Sequence, residues 1–148
     1  MTARKRVLAL GFVLFLFLGF SALLARALTG AGTERERVLE VLEAQARGDV
    51  RAVLGALPAC REQPACVGLM RQRVARLERP GEVEILTYTP SVQVALTRRT
   101  GTGRVAWRAG TGRPVVQCIR VRRDGPLTGA DVELLALSAP IGNEEGCA

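Results

Sequence analysis

The sequence predicts an α+β fold: an N-terminal transmembrane helix, then three helices packed on a curved antiparallel sheet of four to five strands. Three observations predict it. Val7 to Ala25 holds nineteen residues without a charge, apolar residues then recur at helical spacing from Thr33 to Arg79, and from Glu82 onward the pattern alternates with period two.

As a helix rising about 1.5 Å per residue, Val7–Ala25 would extend roughly 28 Å, close to the hydrocarbon thickness of a bilayer. Arg4, Lys5 and Arg6 precede it and only Arg26 follows closely. The positive-inside bias then keeps the N-terminus cytoplasmic and sends the rest outward, to a single-pass place in the cell membrane. A rival reading is a cleaved secretory signal, because Ala25-Arg26-Ala27 has the small-x-small form of a processing site. The run exceeds the usual signal core of about 7 to 15 residues, so retention as an anchor is the expectation. The domain plan is a basic tail over 1–6, an anchor over 7–27, a linker over 28–32, an extracytoplasmic domain over 33–140 and a tail over 141–148.

Of the formal net charge of +7, four units belong to Arg4, Lys5, Arg6 and Arg26, which leaves +3 on the exported part. All four phenylalanines also lie in the apolar run, so Tyr88 and Trp107 are the only exported aromatics. A nucleic-acid partner, which needs a basic surface with stacking side chains, is not expected. With one lysine against twenty arginines, arginine content reads as codon bias. Histidine is absent, which removes the commonest general base, the commonest transition-metal ligand and any histidine-containing triad. No catalytic residue, cofactor or metal site is assigned.

Thr33-Glu34-Arg35-Glu36 has the form of a capping box that opens a helix carrying Val38, Val41, Leu42 and Gln45 on one side. Gly48 suits its end and Asp49 the cap of the next helix, which buries Val50, Val53, Leu54 and Leu57. The tripeptide Arg47-Gly48-Asp49 is therefore helix punctuation, not an adhesion loop. Cys60 to Cys66 follows as a short loop, and a third helix from about Ala65 to Arg79 buries Val67, Met70, Val74 and Leu77. Strands are expected at 83–89, 92–96, 104–108, 115–122 and 132–138. Arg98 to Gly103 and Gly110-Thr111-Gly112 read as turns, neither with the strand-before, helix-after setting of a phosphate loop.

This order, with Gly48-Asp49 between the first two domain helices and Val105-Ala106-Trp107-Arg108 followed by Val115–Val121, resembles the cone-shaped superfamily of nuclear transport factor 2 and ketosteroid isomerase. The resemblance covers about Thr33 to Pro140 at the level of fold. It implies a curved sheet wrapped around helices, with a pocket, and it implies an accessory subunit of a bacterial envelope system for a member with an N-terminal anchor. The acids Glu84 and Glu133 alternate with inward apolar residues, so no family catalytic residue carries over.

Four cysteines in an exported chain are expected to form two disulfides, with three pairings open, of which Cys60 with Cys66 and Cys118 with Cys147 is preferred. Cys118 shares its strand parity with Arg120 and Arg122, on the outer face. Inward candidates are Leu86, Val94, Val105, Trp107, Ile119 and Val121, of which Leu86, Val105, Trp107 and Ile119 would wall a pocket. Arg104, Arg108, Arg120 and Arg122 are the candidate partner face, either pairing with Glu82, Glu84 or Glu133 across strands or meeting anionic lipid headgroups or an acidic envelope protein. The expected function is a membrane-anchored, non-catalytic accessory or assembly module. The alternatives are a binding protein for a small apolar or lipid-like ligand, and a secreted form of either.

Overall fold

The computed structural model describes residues 3–90, 99–124, 131–142 and 146–147, with the backbone alone at 3–9, 23, 25–31 and 99. Four helices precede four strands: α1 (Ala3–Ala46), α2 (Val50–Ala56), α3 (Pro58–Arg61), α4 (Pro64–Leu77), β1 (Val83–Thr89), β2 (Arg99–Ala109), β3 (Val115–Asp124) and β4 (Asp131–Leu137). The strands form one antiparallel meander in the order β1-β2-β3-β4.

The expected transmembrane helix and separate first domain helix are corrected. Among the described residues no helix is long and apolar enough to cross a membrane. Nor does a linker separate two helices, because α1 is continuous through 28–32 and through Thr33–Glu36. Each glycine costs a helix about 1 kcal/mol, and the helix nonetheless runs through Gly30 and Gly32. With carbonyls of 30–32 already in helical register, the amides that a capping box would satisfy have helical partners, so Thr33 does not open a helix.

The C-terminal part of α1 lies on the inner side of the sheet. Val38, Val41, Leu42 and Gln45 are buried there, as their spacing predicts, and meet Val105, Trp107, Ile119 and Val121 from the two central strands. Gly48 takes φ +75°, a left-handed conformation that ends α1, and the Asp49 carboxylate accepts from Ala52 N–H at 2.9 Å to begin α2. α4 buries Met70, Val74 and Leu77, while Val67 is half-buried. The stretch read as a cysteine loop contains the single turn α3. Cys60 is bonded to Cys66 and Cys118 to Cys147, so the expected pairing is the one present.

Both edge strands carry a bulge, and each changes which residues face inward. In β1, Ile85 lies opposite Trp107 and Thr87 opposite Ala106, which leaves Leu86 as an extra residue. Leu86 shares the outward parity of the exposed Glu84 and is itself 40% exposed, so its expected place on the inner wall is corrected. The same step turns Tyr88 onto the inner side, opposite Val105. In β4, Leu135 is the extra residue between Leu134 and Ala136, so Leu134 and Leu137 both face the core.

Arg98 to Gly103 was expected to turn; instead β2 begins at Arg99, and Thr100–Gly103 pair with Arg122–Ile119 of β3. Gly103 is buried in this long strand, where an added Cβ would stand 2.9 Å from the Thr89 carbonyl oxygen and 3.2 Å from Ile119 Cγ1. Glycine here serves close strand packing, not a turn. The Gly110–Gly112 turn is as expected, with Gly110 at φ +51°. The strand expected at 92–96, with Val94, lies outside the described residues.

Trp107 is the only tryptophan and is fully buried, so its fluorescence reports unfolding of the core. Gly103→Val should lower stability by about 1–3 kcal/mol through overpacking against Thr89 and Ile119. Gly55→Ala, in α2 with open space around the position, should raise it by roughly 0.4–1 kcal/mol. Urea midpoints followed through Trp107 check both, and equal midpoints for the two variants would contradict the close approach at Gly103.

Candidate functional site

Three places could carry function: the interior between the helices and the sheet, the outer sheet face, and a buried polar cluster where α1 enters the domain. The interior is closed. Val105 and Trp107 are fully buried and Ile119 nearly so, and the space among Val38, Val41, Leu57, Ile119 and Leu134 does not admit a water molecule. Of the four candidate pocket residues, three are packed core and Leu86 is on the other side of the sheet.

The polar atoms of this core satisfy one another. Gln117 Oε1 accepts from the Trp107 indole N–H at 2.8 Å and from Gln45 Nε2 at 3.1 Å, while Gln117 Nε2 donates to the Ser138 carbonyl at 2.8 Å. Gln45 and Gln117 are fully buried. A buried amide with its partners in place fixes the relative position of the elements that supply them. Here those are α1, β2, β3 and the segment after β4. The network is a registration device, with no group left over to bind a ligand.

On the outer face the arginines are largely matched within the chain. Arg108 donates to Glu84 at 2.7 Å across the β1–β2 pair, and Arg122 pairs with Glu133 across β3–β4 and with Asp124 at 3.1 Å. Arg104 is half-buried opposite Cys118. Arg120 is exposed, opposite Thr102 on one side and Ala136 on the other. The cross-strand pairing considered from sequence thus dominates, and the face is mixed rather than uniformly cationic. The chain beyond β4 runs beside β3: Ser138 N–H donates to the Cys118 carbonyl at 2.9 Å and Ile141 N–H to that of Val116 at 2.8 Å. The Cys118–Cys147 bond then closes this segment onto the sheet.

The third cluster was not legible as a site. Glu34 of α1 is fully buried, its carboxylate accepting from the Tyr88 hydroxyl with one oxygen and from Arg123 Nη2 with the other. A helical count would have found it: Glu34 shares its face with Val38, Val41 and Gln45. Arg123 likewise has the inward parity of Ile119 and Val121, but the position of Tyr88 depends on the bulge. Burial raises the pKa of the Tyr88 phenol well above its ordinary value near 10; the hydrogen bond it donates to Glu34 and the charge of Glu34 add to this, and Arg123 opposes it. Tyr88 is therefore a neutral donor across the physiological range, unsuited to act as a base or nucleophile.

Two open grooves flank α1, one of about 510 Å3 against α2 and β4 and one of about 420 Å3 against β1. Among the described residues, no group of three histidines, cysteines or acids is arranged to hold a metal ion. No protein-family model, curated protein or solved structure matches the chain.

Tyr88 is the only tyrosine, so tyrosinate absorbance near 295 nm reports it alone. A phenol with a raised folded pKa contributes stability that is present in full below its unfolded pKa of about 10 and is lost as pH rises above it. Alkaline titration should show no tyrosinate while Trp107 fluorescence is native, and tyrosinate should appear together with unfolding. Tyr88→Phe should abolish that part of the alkaline loss. Ionisation near pH 10 in a still-native protein would contradict the buried cluster.

Proposed function

We propose that this chain is a non-catalytic accessory or assembly module of the extracytoplasmic envelope, associated with a membrane through the apolar side chains of α1 and contacting a protein partner through its folded domain. The observation that carries the reading is the exposure of α1 between Leu10 and Phe20. Phe12, Val13, Leu14, Phe15, Leu16, Phe17 and Leu18 are each more than half exposed. They are apolar around the whole circumference, whereas a helix made to pack on one protein surface is apolar on one side. An all-round apolar surface suits an apolar medium. Two disulfides support an oxidising compartment for the domain, and the helix-then-meander order supports a cone-shaped domain of the nuclear transport factor 2 kind.

The closed interior favours contact over ligand uptake. Binding an apolar molecule inside the sheet would require expelling Trp107 or Ile119 and breaking the Gln117 bonds. Docking on the outer face requires no rearrangement, and Arg120 is its most accessible cation.

The full chain, extracted from native membranes in mild detergent, should co-purify with a stoichiometric partner. Arg120→Glu should lose that partner while Trp107 fluorescence and membrane association are unchanged, and Arg76→Glu, on α4, should retain it. A partner-free protein carrying bound lipid would support the ligand-binding alternative instead. Recovery in the soluble fraction of cells would count against membrane association.

A further inference from the structure

We infer that α1 is a rigid lever: its apolar stretch and the folded domain move as one body, and the Glu34 cluster clamps the lever against rotation at the point where it enters the domain. The first ground is continuity. The backbone of α1 is helical from Ala3 to Ala46, including 28–32, where the sequence suggested a linker. From Leu24, the last described exposed apolar residue of the stretch, to Glu34 the helix rises about 15 Å without a break.

The second ground is the clamp. Glu34 is the first buried side chain described on α1, and it is bonded at once to two strands, to Tyr88 at the end of β1 and to Arg123 near the end of β3. One carboxylate held from two directions resists both rotation of α1 about its axis and tilting away from the sheet. The far end is fixed separately. Gln45 bonds to Gln117, the Arg79 amide donates to the Ala46 carbonyl at 2.9 Å, and Gly48 ends the helix. Fastened at Glu34 and at Gln45–Ala46, α1 has neither end free within the domain.

This geometry also sets the direction of the domain. The ends of β1 and β3 at Tyr88 and Arg123 face back toward the apolar stretch. The Gly48–Asp49 junction, the Pro80–Gly81 bend and the Gly110 turn lie at the opposite end, with Gly81 and Gly110 in direct contact. A displacement of the apolar stretch would therefore be delivered to the distal end undamped by a hinge.

Hydrogen exchange on the full chain in dodecylmaltoside micelles tests it. In the wild type, amides over 28–37 should exchange slowly and continuously with those over 38–46. Tyr88→Phe, a mild change that removes one clamp bond, should speed exchange over 28–37 by about tenfold, equivalent to about 1.4 kcal/mol of local opening, and leave 38–46 unchanged. Glu34→Gln should do the same or more, with native Trp107 fluorescence showing that the fold persists. Exchange over 28–33 at the rate of an unstructured peptide in the wild type would make that segment a hinge and overturn the lever. Unchanged exchange over 28–37 in both Tyr88→Phe and Glu34→Gln would overturn the clamp.

Discussion

A carboxyl group taken wholly out of water must be met by donors, and Glu34 imposes that requirement on the rest of the domain. Its donors come from strands that are not neighbours in the sheet. Tyr88 reaches it only because the bulge at Leu86 reverses the parity of β1, and Arg123 only because β3 continues inward-facing to its end. Removing the charged partner from a buried ion pair such as Glu34–Arg123 typically costs about 3–5 kcal/mol, more than an exposed pair such as Arg37–Glu40 could contribute. The bulge, the length of β3 and the entry angle of α1 are thus aspects of one requirement. Replacement of the cluster by apolar residues could be as stable, so orientation rather than stability is the stronger reason for it.

The Gln45–Gln117–Trp107 network plays the corresponding part at the other end of α1. An indole N–H in an apolar interior needs an acceptor, and Gln117 supplies it while binding Gln45 and the Ser138 carbonyl. A single side chain so engaged cannot also face a ligand. The interior is filled by groups that specify position, which leaves the exterior as the surface available for recognition.

Legibility from sequence followed the range of the interactions involved. Helical spacing found Val38, Val41 and Leu42 on one face, and the Gly48–Asp49 junction followed from local backbone chemistry. Strand parity separated Trp107 from Arg108, and the oxidising-compartment argument led to two disulfides. The misplaced features depend on partners distant in sequence. Leu86 has the outward parity of Glu84, whereas the inward position of Tyr88 was hidden because a bulge appears only when the neighbouring strand sets the register. Gly101-Thr102-Gly103 was read as a turn because the need for glycine at 103 comes from Thr89 and Ile119, residues on two other strands. Thr33–Glu36 looked like a helix start because a capping sequence does not announce that the preceding residues are already helical. Glu34 was missed for the same reason: read as part of a cap, it was not counted on the buried face.

The bulges bear on recognition as well as on packing. A flat edge strand offers a row of unpaired amides and carbonyls to any extended segment, and a bulge interrupts that row and twists it away. Both edges of this sheet are interrupted, at Leu86 and Leu135, and Arg73 donates at 2.7 Å to the Leu137 carbonyl at the end of β4. Strand addition is therefore a poor means of binding for this domain, although its grooves lie beside those edges. Recognition through side chains on the outer face does not have that obstacle. There the cross-strand ion pairs hold Arg108 and Arg122 in place, so that a partner docking as proposed would meet an ordered polar surface rather than a set of mobile cations. Order of that kind lowers the conformational entropy lost on binding, and it favours a partner that presents complementary polar groups in a fixed arrangement over a diffuse layer of anionic headgroups.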